Sequence, residues 1–303
     1  MRTKILIFAL MLTGLVSTAQ QDAQYTHYMY NTININPAYA GSRGALSIFG
    51  LHRTQWVGLD GAPVTNSASV NFPIENSNLG VGMSFVNDRI GPTSENLISV
   101  DVSYTIKTSE TYKLSFGIKG SANLFDLDVN KLNPETQNDP LLQNFSNKFS
   151  PNFGAGVYLH SDKLYLGLSV PNFFETNRYS DNEIAINKER MNYYIIGGYV
   201  FDLSSNLKFK PAFLSKIIEG APLQLDVSGN FLLFDKLVLG AAWRWDAAVS
   251  FMAGFQITDG LYIGYGYDLE TTKLRNYNSG SHEVFLRFEL FKKQERVVSP
   301  RFF

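Results

Sequence analysis

"LYIGYGYDL", residues 261–269, decides the class of fold. Leu, Ile and Tyr occupy its odd-numbered positions, and the even-numbered positions hold Tyr262, Gly264, Gly266 and Asp268. Successive side chains of a β-strand point to opposite faces, so a period of two predicts a strand with one apolar and one polar face.

The same alternation recurs along most of the chain, in about fourteen segments. Most run about nine to thirteen residues. Strands of soluble sheets usually have five or six residues, whereas tilted membrane strands need about nine to eleven. The segments centre on 45–57, 64–73, 79–88, 96–107, 111–125, 152–161, 163–170, 191–201, 206–217, 223–233, 236–246, 248–258, 260–270 and 281–292.

The connections between these segments favour a membrane barrel. After every even-numbered segment the turn is short, as in "ENSN", "TSET" and "SDK". Three of the other links are long: 126–150, 171–190 and 271–280. Short turns at one end and long loops at the other are typical of outer-membrane barrels, and an even strand count brings both barrel termini to the periplasmic side. We therefore predict an all-β transmembrane barrel of about 14 antiparallel strands over residues 44–292.

Charged residues fall on the polar face of the predicted strands. In a membrane barrel they must face the lumen, because a charge on the lipid face costs about 2–4 kcal/mol at mid-depth. The predicted lumen residues are Asp101, Lys119, Arg244, Asp268, Glu283, Arg287 and Glu289.

Aromatic residues near strand ends fit the girdles found at membrane interfaces. A soluble sandwich, with these aromatics in its core and the charges in solvent, is the alternative. The predicted girdle residues are Trp56, Trp243, Trp245, Tyr104, Tyr194, Tyr199 and Phe201.

The first nineteen residues have the layout of a secretory signal peptide. Arg2 and Lys4 precede an apolar run that is too short to span a bilayer, and small residues end at Ala19. The whole sequence has 26 basic and 27 acidic residues, and removal of the segment with Arg2 and Lys4 makes its small net negative charge slightly larger. A charge of this sign and size argues against a nucleic-acid partner. The absence of cysteine excludes disulfides and thiolate metal sites.

The stretch "NTININPAYAGSRG", residues 31–44, is too polar for a core strand and too broken by Pro and Gly for a helix. Pro37 fixes the chain and biases Asn36 toward an extended geometry, while Gly41 and Gly44 permit a turn into the first strand. Residues 20–43 are therefore predicted to be a plug at the periplasmic side of the lumen. Its key residues are Ile33, Ile35, Asn36, Pro37, Ala38, Tyr39 and Gly41.

Motifs for catalysis or metal binding are weak. The four histidines fall in different elements, and only His52 and His160 lie on strands as candidates for an enzyme site. "DLDVNKLNPETQ", residues 126–137, resembles a calcium loop, but Lys131 replaces the required Gly and Gln137 the bidentate Glu. A solvated loop is the default there, and no catalytic residue, metal or cofactor is predicted.

Five ordered motifs together resemble one family. They are "QYTHYMYNTININPAYAG" (24–41), "HRTQWVGLDGAPVT" (52–65), "SPNFGAGVYLHSDKLYLGLSVPNFF" (150–174), "NYNSGSHEVFLRF" (276–288) and "SPRFF" (299–303). They resemble the PorP/SprF family of outer-membrane proteins of the Bacteroidetes type IX secretion system. The resemblance covers essentially the whole chain after the signal peptide.

The resemblance implies a non-enzymatic barrel in outer-membrane lipid that helps to export, or hold at the surface, large proteins such as gliding adhesins. Its partners would be type IX secretion components and a cargo with a C-terminal secretion domain. The tail, residues 293–303, is predicted from its apolar end to dock into the periplasmic mouth or onto a partner through Pro300, Arg301, Phe302 and Phe303, and a frayed tail is the alternative. Asn36-Pro37-Ala38 is also similar to the plug of FadL-like transporters, so a channel for small hydrophobic solutes is the alternative.

Overall fold

The alternating segments form antiparallel strands in the computed structural model, which describes residues 25–131, 144–174, 176–177 and 188–290. The predicted signal peptide and the tail residues 293–303 lie outside the described residues. The strands are β1 (Leu46–Thr54), β2 (Val64–Pro73), β3 (Leu79–Ile90), β4 (Thr93–Lys107), β5 (Lys113–Leu127), β6 (Phe145–His160), β7 (Leu164–Val170), β8 (Thr176–Asn177), β9 (Lys188–Glu189), β10 (Asn192–Tyr199), β11 (Phe201–Ser204), β12 (Leu207–Ile218), β13 (Gln224–Leu233), β14 (Leu237–Arg244), β15 (Ala248–Gln256), β16 (Leu261–Glu270) and β17 (Ser281–Leu290).

The wall closes on itself. β1 to β7 pair in sequence order, as do β11 to β17, β1 pairs with β17, and β10 pairs with both β7 and β12. Because β10 and β11 both pair with β12 and are separated only by Val200, they count as one wall strand. β8 and β9 form a separate hairpin in a loop. The prediction of about fourteen antiparallel strands in a closed barrel is confirmed.

Two wall strands extend well beyond the segments that the alternation predicts. β4 has 15 residues where the segment 96–107 was predicted, and β6 has 16 where 152–161 was predicted, so β6 begins at Phe145, within the predicted loop 126–150. Leu127 pairs with Phe145 across a register shift. Apolar and polar side chains must alternate strictly only where one face of the strand meets apolar surroundings. Backbone pairing with the neighbouring strand can continue beyond that region. The predicted start of this strand at residue 152 was therefore wrong.

The two ends of the barrel differ in their connections. One end, called here the short-turn end, has the turns 74–78, 108–112, 161–163, 205–206, 234–236 and 257–260. The other, the long-loop end, includes the connections 55–63, 128–144, 171–191 and 271–280. β1 starts and β17 stops at the short-turn end, as an even number of wall strands requires.

The outer face of the wall is apolar and the inner face is polar. On β5, Phe116 and Ile118 are exposed, whereas Ser115 just before them and Lys119 just after them are buried. The other strands repeat this pattern. Tyr194 differs from the predicted girdle: its side chain is buried, because its position on β10 has the parity of the inner face. The other predicted girdle residues on the wall strands are exposed, and these are Tyr104, Tyr199, Phe201 and Trp243.

Helical structure is confined to short turns. Thr32–Ile35 forms one helical turn, and Pro37–Tyr39 and Lys273–Tyr277 form 3-10 turns. In the described part of the chain, no helix has the length and apolar character needed to cross a membrane.

Candidate functional site

The N-terminal segment, defined here as residues 25–43, packs against inward-facing side chains of the barrel. It supplies much of the buried apolar core, together with aromatic residues of the wall such as Tyr158, Tyr262 and Phe285. Six of the seven residues predicted for the plug are buried and Gly41 is half-buried. The segment therefore occupies the space that the inner faces of the strands enclose.

Asn36 and Pro37 set the local conformation of the segment. The amide oxygen of Asn36 accepts from the Ala38 backbone N–H at 3.0 Å, and Pro37 occupies the first position of the 3-10 turn. The other end of the same amide donates to the Val157 carbonyl on β6 at 3.1 Å. One side chain thus caps its own turn, where Pro lacks a donor, and joins that turn to the wall.

Two glycines let the Asn36-Pro37-Ala38 turn approach the wall. A methyl group at Gly117 on β5 would collide with the backbone of Pro37 and Ala38. A methyl group at Gly156 on β6 would collide with the Asn36 amide oxygen. Only glycine, which has no Cβ, lets the turn come this close to the backbone of the wall. Gly117 and Gly156 therefore leave the space that the turn occupies.

Polar contacts hold the middle of the segment. The amides of Asn31 and Asn34 both donate to the Ser67 hydroxyl, at 3.0 and 2.9 Å. The Lys119 ammonium donates to the Ile33 carbonyl at 3.2 Å and forms an ion pair with Asp101 at 3.2 Å. These bonds satisfy backbone and amide groups that burial would otherwise leave unpaired.

The start of the segment binds a charged group that we call the seam cluster, consisting of Arg53 on β1, Asp268 on β16 and Glu283 on β17. Arg53 bridges Asp268 at 2.6 Å and Glu283 at 3.3 Å. The backbone N–H groups of Thr26 and His27 donate to Glu283 at 2.9 and 2.8 Å, and His27 Nδ1 lies 2.6 Å from the same carboxylate. The Thr26 hydroxyl contacts Asp268 at 2.7 Å. Breaking such a buried group by removing one partner costs about 3–5 kcal/mol.

A second ion pair extends this contact toward the first described residue. Arg244, the last residue of β14, pairs with Asp226 on β13 at 2.6 Å and donates to the Tyr25 carbonyl at 3.3 Å. β14 ends and β13 begins at the long-loop end. Tyr25 therefore lies near the long-loop end, and not at the short-turn end where the sequence suggested that the plug sits.

The other end of the segment is held at the short-turn end. Arg43 donates to both carboxylate oxygens of Glu289, and Arg287 lies 3.7 Å from the same carboxylate. The Arg287 guanidinium stacks near the rings of Tyr30 and Tyr262, whose hydroxyls are 3.0 Å apart. Burial raises the pKa of Tyr30, so its phenol is a neutral hydrogen-bonding group here. The segment thus spans the distance between the two ends of the barrel.

All seven predicted lumen residues are buried on the inner face of the wall. They form three separate groups: Asp101 with Lys119, Arg287 with Glu289, and Arg244 near Asp268 and Glu283. Sequence reasoning missed Arg53, Asp226 and Lys210, which are also buried and inward-facing. The alternation in β1 and β13 is enough to assign Arg53 and Asp226 to the inner face. Around Lys210 the alternation is interrupted by Pro211.

The candidates for catalysis and metal binding do not come together. His52 faces outward on β1 near the long-loop end, whereas His160 is the buried last residue of β6 at the short-turn end. Asp126 and Asp128 accept hydrogen bonds from nearby backbone N–H groups, those of Asn147 and Asn130. Among the residues that the structure describes, no group of three or more His, Asp or Glu could hold a metal ion.

Comparison with protein families identifies the chain. The family model of the type IX secretion system membrane protein PorP/SprF matches residues 17–288. The chain belongs to the PorP/SprF family. It is therefore a membrane barrel of type IX secretion, and none of the curated proteins matches it.

Solved structures of other barrels are similar to this PorP/SprF member only in outline. The CymD monoaromatic hydrocarbon channel has 10% identity and a TM-score of 0.48, covering 91% of this chain and 95% of its own. The NanC porin has 13% identity and a TM-score of 0.44, covering 81% and 100%. A Pseudomonas aeruginosa FadL homologue has 13% identity and a TM-score of 0.42, covering 82% and 89%.

Proposed function

We propose that the protein is a non-enzymatic barrel of the outer membrane that works with the type IX machinery on one large cargo protein, such as a gliding adhesin. It exports this cargo, or holds it at the cell surface, by binding the cargo's C-terminal secretion domain, the periplasmic machinery, or both. The family match over residues 17–288 carries this proposal. In this reading residues 1–19 are a signal peptide, the short-turn end faces the periplasm and the host belongs to the Bacteroidetes.

The N-terminal segment is the proposed gating part of this barrel, a plug over residues 20–43. Its described part, residues 25–43, makes polar contacts at three levels, through Glu283, Lys119 and Glu289. A partner that replaces both these polar contacts and the apolar contacts of the segment would release it from the wall. The tail residues Pro300–Phe303 are a second proposed contact for the secretion machinery.

Deletion of the gene, followed by a census of surface proteins, tests the proposal. We expect one large surface protein to disappear and to return when the wild-type gene is restored. An unchanged set of surface and secreted proteins would contradict the proposal. Uptake of small hydrophobic solutes by liposomes that carry the pure protein would favour the channel alternative instead.

A shorter deletion tests the tail. Removing residues 299–303 should leave the barrel assembled, because these residues follow the last wall strand, but should reduce cargo display. Normal assembly together with normal display would exclude a role for the tail. Assembly is checked by the amount of folded protein in isolated membranes.

A further inference from the structure

Three basic side chains stand in a row across β4, β5 and β6 at the short-turn end. Lys107 pairs in register with Lys113, and Lys113 pairs with His160. All three positions have the parity of the inner face, shared with the buried residues Ser103, Ser115 and Tyr158 of their own strands. The row therefore faces the mouth of the barrel and not its apolar exterior.

The two lysines carry like charges at directly opposite positions of neighbouring strands. Neither Lys107 nor Lys113 makes an ion pair or a side-chain hydrogen bond with any residue in the described ranges. Like charges directly opposite each other on neighbouring strands are destabilising. By contrast, Lys163 and Lys208 at the same end each pair with an aspartate. A row of this kind is more stable when an anion bridges it.

A cavity of about 200 Å³ lies beside the row. It is lined by Lys107, Lys113 and His160, by the polar residues Ser42, Ser77, Asn78 and Thr105, and by the backbone of the last turn of the N-terminal segment. We call it the mouth pocket. Gly41 in this lining has a φ of 69° and leaves no room for a Cβ against Gly80, so the backbone itself forms part of the surface.

We propose that the mouth pocket binds an acidic peptide segment of a soluble protein that enters from the short-turn end. Two lysines with unpaired charges, serine and threonine hydroxyls and an asparagine amide can together hold carboxylate groups. The pocket contacts Ala40, Gly41 and Ser42, so its occupant touches the base of the N-terminal segment. This inference rests on the proposed function, since the occupant would belong to the secretion machinery.

Two other occupants fit less well. The chain's own residues 291–303 carry Lys292, Lys293, Arg296 and Arg301 against Glu295 alone, so their charge has the same sign as that of the pocket. Lipid headgroups meet the outer face of a barrel, whereas the basic row has the parity of the inner face. A soluble acidic peptide matches both the charge and the position.

The test uses the full chain in lipid nanodiscs and fluorescein-labelled hexaglutamate as the probe, at low ionic strength and followed by fluorescence anisotropy. We expect the double variant Lys107→Gln/Lys113→Gln to bind at least about 10-fold more weakly than wild type, because both charges face the probe. The control Lys163→Gln/Lys236→Gln removes the same charge from the same end, outside the pocket lining, and should change binding less than about 2-fold.

Several results would overturn the proposal. Equal weakening in both double variants would mean that only diffuse charge attracts the probe. Inorganic phosphate that displaces the probe at equal molar concentration would indicate a free-anion site. A tenfold gain in affinity on removing residues 293–303 would identify the tail as the occupant. Each result concerns the pocket alone, whereas an unchanged surface proteome after gene deletion would overturn the proposed function alone.

Discussion

At the scale of single residues, Glu283 joins the N-terminal segment to the wall. Its carboxylate accepts from the backbone N–H groups of Thr26 and His27 and pairs with Arg53, and no part of its side chain is exposed. Hydrogen bonds to charged groups contribute about 1.5–3 kcal/mol each, more than bonds between neutral groups. The position of the segment's start therefore depends on this carboxylate as well as on the buried apolar contacts that follow it.

Glu283→Gln should loosen the start of the segment without opening the barrel. Loss of the charge weakens the bonds to Thr26 and His27, so we expect their backbone amides to exchange hydrogen roughly 10- to 100-fold faster. Hydrogen-exchange mass spectrometry of peptides covering residues 25–31 measures this. Glu270→Gln is the control, since within the described part of the chain the Glu270 carboxylate accepts hydrogen bonds from Trp56 and Thr272 alone. Equal exchange in wild type and Glu283→Gln would contradict the role of Glu283.

Gly117→Ala should displace the Asn36-Pro37-Ala38 turn, because the added methyl collides with the Pro37–Ala38 backbone. Overpacking of this kind costs about 1–3 kcal/mol. We expect higher ion conductance in planar bilayers than for wild type. Gly120→Ala on the same strand is the matched control, since a methyl there meets nothing within 4 Å. Wild-type conductance in Gly117→Ala, with the control also unchanged, would show that the turn does not limit conductance.

The residues of the site were predictable to different degrees. Asp268 and Glu283 could be assigned to the inner face because their strands alternate without interruption. Tyr194 was assigned to the wrong face, because an aromatic near a strand end resembles a girdle residue until its parity is fixed by pairing. His27 could not be predicted as a partner of Glu283, because they lie 256 positions apart in sequence and only the closed fold brings them together.

At the scale of elements, the alternation predicted where strands lie better than where they end. The β6 strand shows why: residues 145–151 pair with β5 although their sequence does not alternate cleanly. Pairing there depends on the partner strand and not on a local apolar face. The composition of a segment says little about how far its partner strand extends. The residues at which strands begin and end at the long-loop end were therefore the least predictable part of the wall.

Ile118→Arg tests whether the apolar exterior of β5 faces lipid. Ile118 lies within the strand and is 66% exposed, so a charge there would meet the membrane interior. We expect the free energy of unfolding to fall by about 2–4 kcal/mol in urea titrations of the protein in lipid vesicles. Tyr277→Arg, in the loop after β16 and 71% exposed, should change it by less than about 0.5 kcal/mol. Equal stability of the two variants would argue against a lipid-facing β5.

At the scale of the whole molecule, closure leaves no free edge in the wall. Every wall strand has a neighbour on each side, including β1 and β17 at the join. Unboiled protein should therefore migrate differently from boiled protein in detergent gels, because closed ladders resist detergent until heated. Identical migration of the two samples would contradict a closed barrel. The closed wall was predictable from the sequence, whereas the end-to-end course of the N-terminal segment was not, because it depends on side-chain partners from many strands.

The seam cluster has a consequence for the order of assembly. Arg53, Asp268 and Glu283 come from the first strand and the last two, so they meet only when β1 and β17 lie side by side. His27 binds Glu283 on β17, whereas Thr26 contacts Glu283, Asp268 on β16 and Arg53 on β1. The full set of contacts that holds Thr26 is therefore complete only when β1 closes the barrel against β17, because Arg53 then adds its bond to the Thr26 hydroxyl.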